Sequence, residues 1–115
     1  MKRGDVYAVS LSGVAGKPRP AVIVQADEFT AIGTVLFCPL TSVASDTALF
    51  RPAIEPEPRN GLRTTSRAMT DKLTPARRNE IGSRIGSLSA DDMRRVDRAI
   101  VAVPGLDLSA FTAAT

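Results

Sequence analysis

The 115-residue chain contains no histidine, one cysteine and only five aromatic side chains, and each scarcity removes a class of chemistry. Without histidine neither a Ser-His-Asp nor a Cys-His arrangement can be assembled, and the histidine-rich ligand sets usual for zinc are excluded as well. A lone Cys38 forms no intramolecular disulfide, and one thiol is not a metal site. Packing alone must therefore hold the fold, as in a reducing compartment, and the cytoplasm is the expected location. The longest apolar stretches, residues 20–24 and 35–40, are far too short to span a bilayer. The Met1-Lys2-Arg3 start runs into a polar Gly4-Asp5 pair, so neither a signal peptide nor a transmembrane helix is expected. No G-x-x-x-x-G-K-[ST] loop follows a strand, which argues against nucleotide hydrolysis on a P-loop. Internal repeats and low-complexity segments are also missing.

What is present has the balance of an ordinary globular protein, with 43% apolar and 23% charged residues. The length suits one domain, residues 1–115, around one modest core. The net charge of +3 is unevenly spread. Residues 1–58 carry five basic and six acidic side chains, and residues 59–98 carry ten basic and five acidic, which implies a basic face. Twelve of the fifteen basic residues are arginine, whose planar fork matches phosphate bidentately and stacks on bases. A high-GC genome would also raise the arginine count, but it would not cluster the residues between Arg59 and Arg84.

Short strands come first along the chain and a helix last. Residues 6–11 alternate, with Tyr7, Val9 and Leu11 on one face of a half-buried strand, and residues 21–25 form a second strand that should pair with it. Residues 34–40 make a third strand and residues 49–54 a fourth. The stretch spaced by Pro52, Pro56 and Pro58 and ending in Asn60-Gly61 is a loop with a turn signal. Residues 66–73 and 81–87 supply two more strands. The period then changes: Ser89 with Asp92 resembles a capping box, and Met93, Val96, Ile100 and Val103 line a helix that Pro104-Gly105 stops. The pattern predicts a mainly β fold with a C-terminal α-helix, arranged as a small, strongly bent barrel.

Few reactions fit this inventory, and RNA cleavage is one of them. The substrate brings its own nucleophile, the 2′-OH beside the scissile phosphate. A protein need only align that hydroxyl, stabilise charge on the phosphoryl oxygens and manage two protons. Arginine, threonine, serine and an aspartate suffice, with no metal and no cofactor.

Several segments, in order and spacing, resemble the MazF/PemK (Kid) toxin family. They are Arg3-Gly4-Asp5-Val6-Tyr7, Gly16-Lys17-Pro18-Arg19-Pro20-Ala21-Val22-Ile23-Val24-Gln25 and Pro39-Leu40-Thr41-Ser42, then Asn60-Gly61-Leu62, residues 66–72 and Ile85-Gly86-Ser87-Leu88-Ser89. The resemblance spans nearly the whole chain. It implies a homodimer of SH3-like, partly open barrels of the CcdB/PemK type, and the 104–108 run offers apolar surface for such pairing. It also implies a sequence-selective, metal-independent endoribonuclease on single-stranded RNA, held silent by a MazE-like antitoxin with an acidic C-terminal tail. The expected products are a 2′,3′-cyclic phosphate and a 5′-hydroxyl.

The same resemblance assigns catalytic places to Arg19, Thr41 and Asp71. Arg19, on the loop entering the second strand, would contact the scissile phosphate. Arginine is a poor base, so charge stabilisation and proton donation to the leaving 5′-oxygen suit it. Thr41 would hydrogen-bond a phosphoryl oxygen with Ser42 in support, although a Thr-Ser turn cap also explains the pair. Two roles stay open for Asp71: the base that accepts the 2′-OH proton, or a carboxylate that orients Arg19 or Lys72. Met69 stands where the Kid pattern has an arginine, and that branch's first-loop histidine is missing, so its mechanism does not transfer whole. Asp5 borders the same pocket or is simply an exposed carboxylate at a strand start.

With aromatics scarce, Lys17, Arg51, Arg63 and Arg67 are expected to carry phosphate contacts and some stacking, with Ser66 and Lys72 in the same RNA-binding set. Segments 12–18 and 43–48 are expected to frame the groove and set its preference. Two other classes remain open: a CcdB-like, non-catalytic gyrase poison, and a barrel that binds RNA without cutting it.

Overall fold

The computed structural model describes residues 1–10, 17–29, 33–43, 50–105 and 109. Among them are seven strands, β1 (Asp5–Val9), β2 (Arg19–Ile23), β3 (Thr34–Thr41), β4 (Ala53–Ile54), β5 (Ser66–Ala68), β6 (Thr74–Arg77) and β7 (Ile81–Ser87), followed by helix α1 (Ala90–Ala102). All pairings are antiparallel, in the order β4-β5-β3-β2-β1-β7, with β6 also on β3. The sheet curls into a half-barrel with the helix at its C-terminal end, as the sequence predicts. Most of segments 12–18 and 43–48 falls outside the described residues, as do Leu11, Leu49 and most of the 104–108 run.

Apolar residues cover both faces of the central strands. Val6, Val22, Cys38 and Leu40 pack with Ile54, Leu88 and the helical Val96 on one side. Val9, Ala21, Ile23, Val35 and Phe37 pack with Ala76 on the other. The continuous run from Ala21 to Val24 is the signature of a strand buried on both faces. It also explains why β1 is not half-buried as expected: Val6 lies beneath the helix while Val9 serves the second core.

Strand β3 organises the region of interest by changing partners along its outer edge. Residues 34–37 pair with β6, and Leu40 and Thr41 pair with Ala68 and Arg67 of β5. Pro39 lies where one partner gives way to the other. Its carbonyl accepts from the Met69 N–H at 2.8 Å, and its missing N–H would point to the same edge, at the gap between the two partner strands. The expected fourth strand shrinks to two residues. The expected 66–73 strand stops at Ala68, before a single 3-10 turn at Thr70–Lys72.

Helix α1 begins as predicted, with the Ser89 Oγ accepting from the Asp92 N–H at 3.1 Å. Met93, Val96 and Ile100 face the core, whereas Val103 is the exposed C-cap. Arg3 ties the helix to the sheet, holding Asp97 with both terminal nitrogens and donating from Nε to the Val24 carbonyl at 3.0 Å.

Candidate active site

Arg19 opens β2 opposite Val9 of β1, with its side chain exposed. It stands on the common rim of two hollows. One, of about 230 Å³, is bordered by Lys17, Thr41, Met69, Lys72 and Thr74. The other, of about 360 Å³, is bordered by Ser42, Arg63, Thr64 and Ser66. Among the described residues no carboxylate pairs with Arg19, Lys17, Arg63 or Arg67. A phosphate approaching Arg19 therefore meets an unoccupied guanidinium.

Thr41 closes β3, and its Oγ1 accepts from the Val43 N–H at 3.2 Å. That bond spends an acceptor site and leaves the hydroxyl proton to donate. Strand alternation puts Thr41 and the exposed Ser42 on opposite faces, so each serves a different hollow. Ser66 is buried and donates to the Thr64 carbonyl at 3.2 Å, and Arg67 is half-buried and donates from Nη1 to the Arg51 carbonyl at 3.1 Å. Lys17, Arg63 and Lys72 are exposed. The structure thus gathers Arg19, Thr41, Ser42, Lys17, Lys72, Arg63 and Ser66 around one rim.

Asp71, Arg51 and Asp5 lie differently from the sequence expectation. Asp71 pairs with neither Arg19 nor, closely, Lys72, whose Nζ is 3.9 Å away. Its carboxylate instead receives Arg51 in a two-point bond, Nε to Oδ1 at 2.8 Å and Nη2 to Oδ2 at 2.9 Å. Their side chains are only 23% and 12% exposed. The hydrogen bond from Arg51 holds the Asp71 carboxyl below its ordinary range although burial works against it, and the same bond raises Arg51. Arg51 therefore has no free fork for phosphate. Asp71 borders a separate recess with Phe50, Ala102 and Val103. Asp5 begins the strand that Val9 ends, about 13 Å of extended chain from the residue facing Arg19. There it accepts from the Lys2 N–H at 2.9 Å and pairs with Arg84 at 3.3 Å.

Three residues that border the hollows were not anticipated as site residues. Thr64 and Thr74 are isolated polar residues with no sequence signal, and Met69 stands out only as a departure from the Kid pattern. Across the second hollow a pre-built loop supplies the wall. Asn60, 1% exposed, accepts at Oδ1 from the N–H groups of Glu57 and Leu62, both at 3.0 Å, and donates to the Glu55 carbonyl at 2.9 Å. Gly61 has φ +69°, and a Cβ there would sit 2.4 Å from the Ile85 carbonyl oxygen, so the turn needs glycine. Among the described residues, no group of three or more carboxylates or thiols is placed to hold a metal ion. Nor, among those residues, is any helix long and apolar enough to cross a membrane.

Comparison with known proteins shows the family and the fold. The family model for PemK-like, MazF-like toxins of type II toxin-antitoxin systems matches residues 2–103. The chain is 42% identical over 107 residues to a probable endoribonuclease MazF of Mycolicibacterium smegmatis, covering 92% of this chain and 98% of that protein. Among solved structures it is similar to a mycobacterial endoribonuclease in complex with its cognate antitoxin, with TM-score 0.78, 22% identity and coverage of 93% of this chain and 97% of that one. It is also similar to MazF of Deinococcus radiodurans, with TM-score 0.75, 19% identity and coverage of 92% and 97%. At these identities the two structures speak for the fold.

Proposed function

The chain belongs to the PemK-like, MazF-like toxins of type II toxin-antitoxin systems and is an endoribonuclease, and we propose that it cuts single-stranded RNA without metal at the Arg19 rim. The observation that carries this reading is the exposed, unpaired Arg19 with the Thr41 hydroxyl beside it and hollows on both sides. The scissile phosphate binds the Arg19 fork, and Thr41 donates to a phosphoryl oxygen. The bond from the 2′-oxygen to phosphorus forms as the bond from phosphorus to the 5′-oxygen breaks. The 2′-hydroxyl releases its proton to solvent, and the 5′-oxygen takes one from Arg19, which solvent restores. The products are a 2′,3′-cyclic phosphate and a 5′-hydroxyl. Lys17 and Lys72 hold the flanking backbone, Ser42, Arg63 and Ser66 border the second hollow, and Asp71 orients Arg51 rather than acting as base.

The protein works in the cytoplasm, where mRNA is its substrate. The protein acts as a homodimer, as its family resemblance implies. An antitoxin with an acidic tail covers the same rim.

Incubation with a long single-stranded RNA in excess EDTA tests the reading. Fragments ending in 2′,3′-cyclic phosphate are expected. Arg19→Ala should lower the rate at least about a hundredfold with the fold intact, and Arg19→Lys should restore little, because a point charge replaces a fork. A 2′-deoxy sugar at the scissile position should block the cut; cleavage of that analogue would make water the nucleophile and overturn the mechanism.

A further inference from the structure

The two hollows share Arg19 and Pro20 but take opposite faces of the end of β3, with Pro39 and Thr41 on one and Leu40 and Ser42 on the other. If the scissile phosphate sits on Arg19, the strand crosses this rim and leaves one flanking nucleoside over each hollow. Their chemistry differs. The first is floored by Val9, Pro20, Pro39 and Met69, and neither proline offers an amide donor. Its Thr74 hydroxyl is committed to the Lys72 carbonyl at 2.8 Å, and Thr41 is assigned to the phosphate. Lys17 and Lys72 are point charges on flexible stems, suited to phosphate and indifferent to the base.

The second hollow has what the first lacks. Ser42 and Thr64 are exposed hydroxyl residues, and Arg63 presents a fork with no carboxylate partner among the described residues. Part of its wall, Gly61 and Leu62, belongs to the loop that buried Asn60 fixes through three hydrogen bonds, so the backbone that leads into Arg63 is set before a base arrives. A fork and hydroxyls on a fixed wall can read the edge of an unstacked base.

We infer that this nuclease reads its sequence on one side of the cut: the Arg63 hollow discriminates among bases, while the Met69 hollow holds any base by apolar contact with its face. The thioether of Met69 supplies there the soft contact to a ring that an aromatic platform provides in other single-strand binders. The inference rests on the assignment of the scissile phosphate to Arg19.

The test uses the full chain and short RNAs built around a cut site first mapped in a long RNA. Each of the two nucleotides flanking the cut is replaced in turn by the other three bases and by an abasic sugar. On one side all four bases should be cut within about threefold of one another while the abasic sugar costs about tenfold, and Met69→Ala should remove most of that abasic penalty. On the other side a wrong base should cost about tenfold or more, and Arg63→Ala should level the preference, with Arg63→Lys failing to restore it. Equal discrimination on both sides, or a preference that survives Arg63→Ala, would overturn the inference while leaving the nuclease assignment in place. Failure of the wild-type protein to cut any RNA would overturn both, so the two failures are told apart.

Discussion

Arg51 and Asp71 stand twenty residues apart in sequence and face to face in the fold, and their pairing changes what each can do. A carboxylate that accepts two bonds from a guanidinium is a weakened base, so Asp71→Asn should leave cleavage within about tenfold of wild type, whereas loss of a general base costs about a hundredfold or more. Stability should respond instead. Because the folded-state pKa of Asp71 is lowered, its contribution is full above the unfolded value of about 3.9 and is lost as pH falls through the folded one. Asp71→Asn should therefore unfold more easily than wild type by about 1 kcal/mol at neutral pH, and denaturant titrations should show the gap closing below about pH 4. A gap that widened in acid would refute the pairing. Cys38 lies beside this pair, and burial, reinforced by Asp71, pushes its thiol up to about 12. The buried, protonated thiol should resist maleimide in the native protein and react only as denaturant opens the fold; rapid labelling without denaturant would contradict its burial. Neither contact could be read from the sequence. The spacing of Arg51 and Asp71 carries no periodic signal, whereas the apolar run after Arg19 marked a strand, although the strand begins at Arg19 itself rather than at Ala21.

Elements built on periodic apolar residues were legible, and those built on turns were not. Residues 34–40 read as a strand because a nearly continuous apolar run announces them, residues 81–87 only more weakly, through Ile81 and Ile85 on one face, and α1 because Ser89 caps a face formed by Met93, Val96 and Ile100. Strand β6 was missed because Thr74-Pro75-Ala76-Arg77 buries only Ala76, and its proline is tolerated solely on an edge. The 66–73 segment looked like one strand because nothing in Thr70-Asp71-Lys72 signals a 3-10 turn, yet that turn carries Asp71 to Arg51. The Asn60-Gly61 turn was visible as a turn, but not the burial that makes Asn60 its organiser. Asn60→Ala would strand three backbone groups, the Leu62 N–H among them, and should cost about 2 to 3 kcal/mol. Thermal or denaturant unfolding checks this. Loss of less than about 0.5 kcal/mol would mean that water replaces the side chain and that the loop is not held by it.

On the scale of the whole molecule, the surface proposed to receive RNA also attracts anything acidic. Arg19, Lys17, Arg63 and Lys72 border adjoining hollows, and only Lys72 has a carboxylate within 4 Å among the described residues. A disordered acidic tail from the antitoxin can fold onto this rim, cover Arg19 and part of residues 59–72, and deny the phosphates their cations. Inhibition is then competitive with RNA. The two ligands differ in what else they bury. RNA binding releases counterions from each neutralised phosphate, so its affinity should fall steeply with salt. The tail also lays down apolar side chains, against Met69 and the proline-lined floor, for instance, and that contribution does not screen. Affinities measured across a salt titration should therefore show a shallower slope for the antitoxin than for a non-cleavable RNA, with the antitoxin gaining the advantage as salt rises. Substituting Arg19 and Arg63 together should reduce both slopes, because both ligands draw on those charges. The non-cleavable RNA should displace a labelled tail peptide at low salt; simultaneous, independent binding of the two would place the antitoxin on another face and end the shared-rim account.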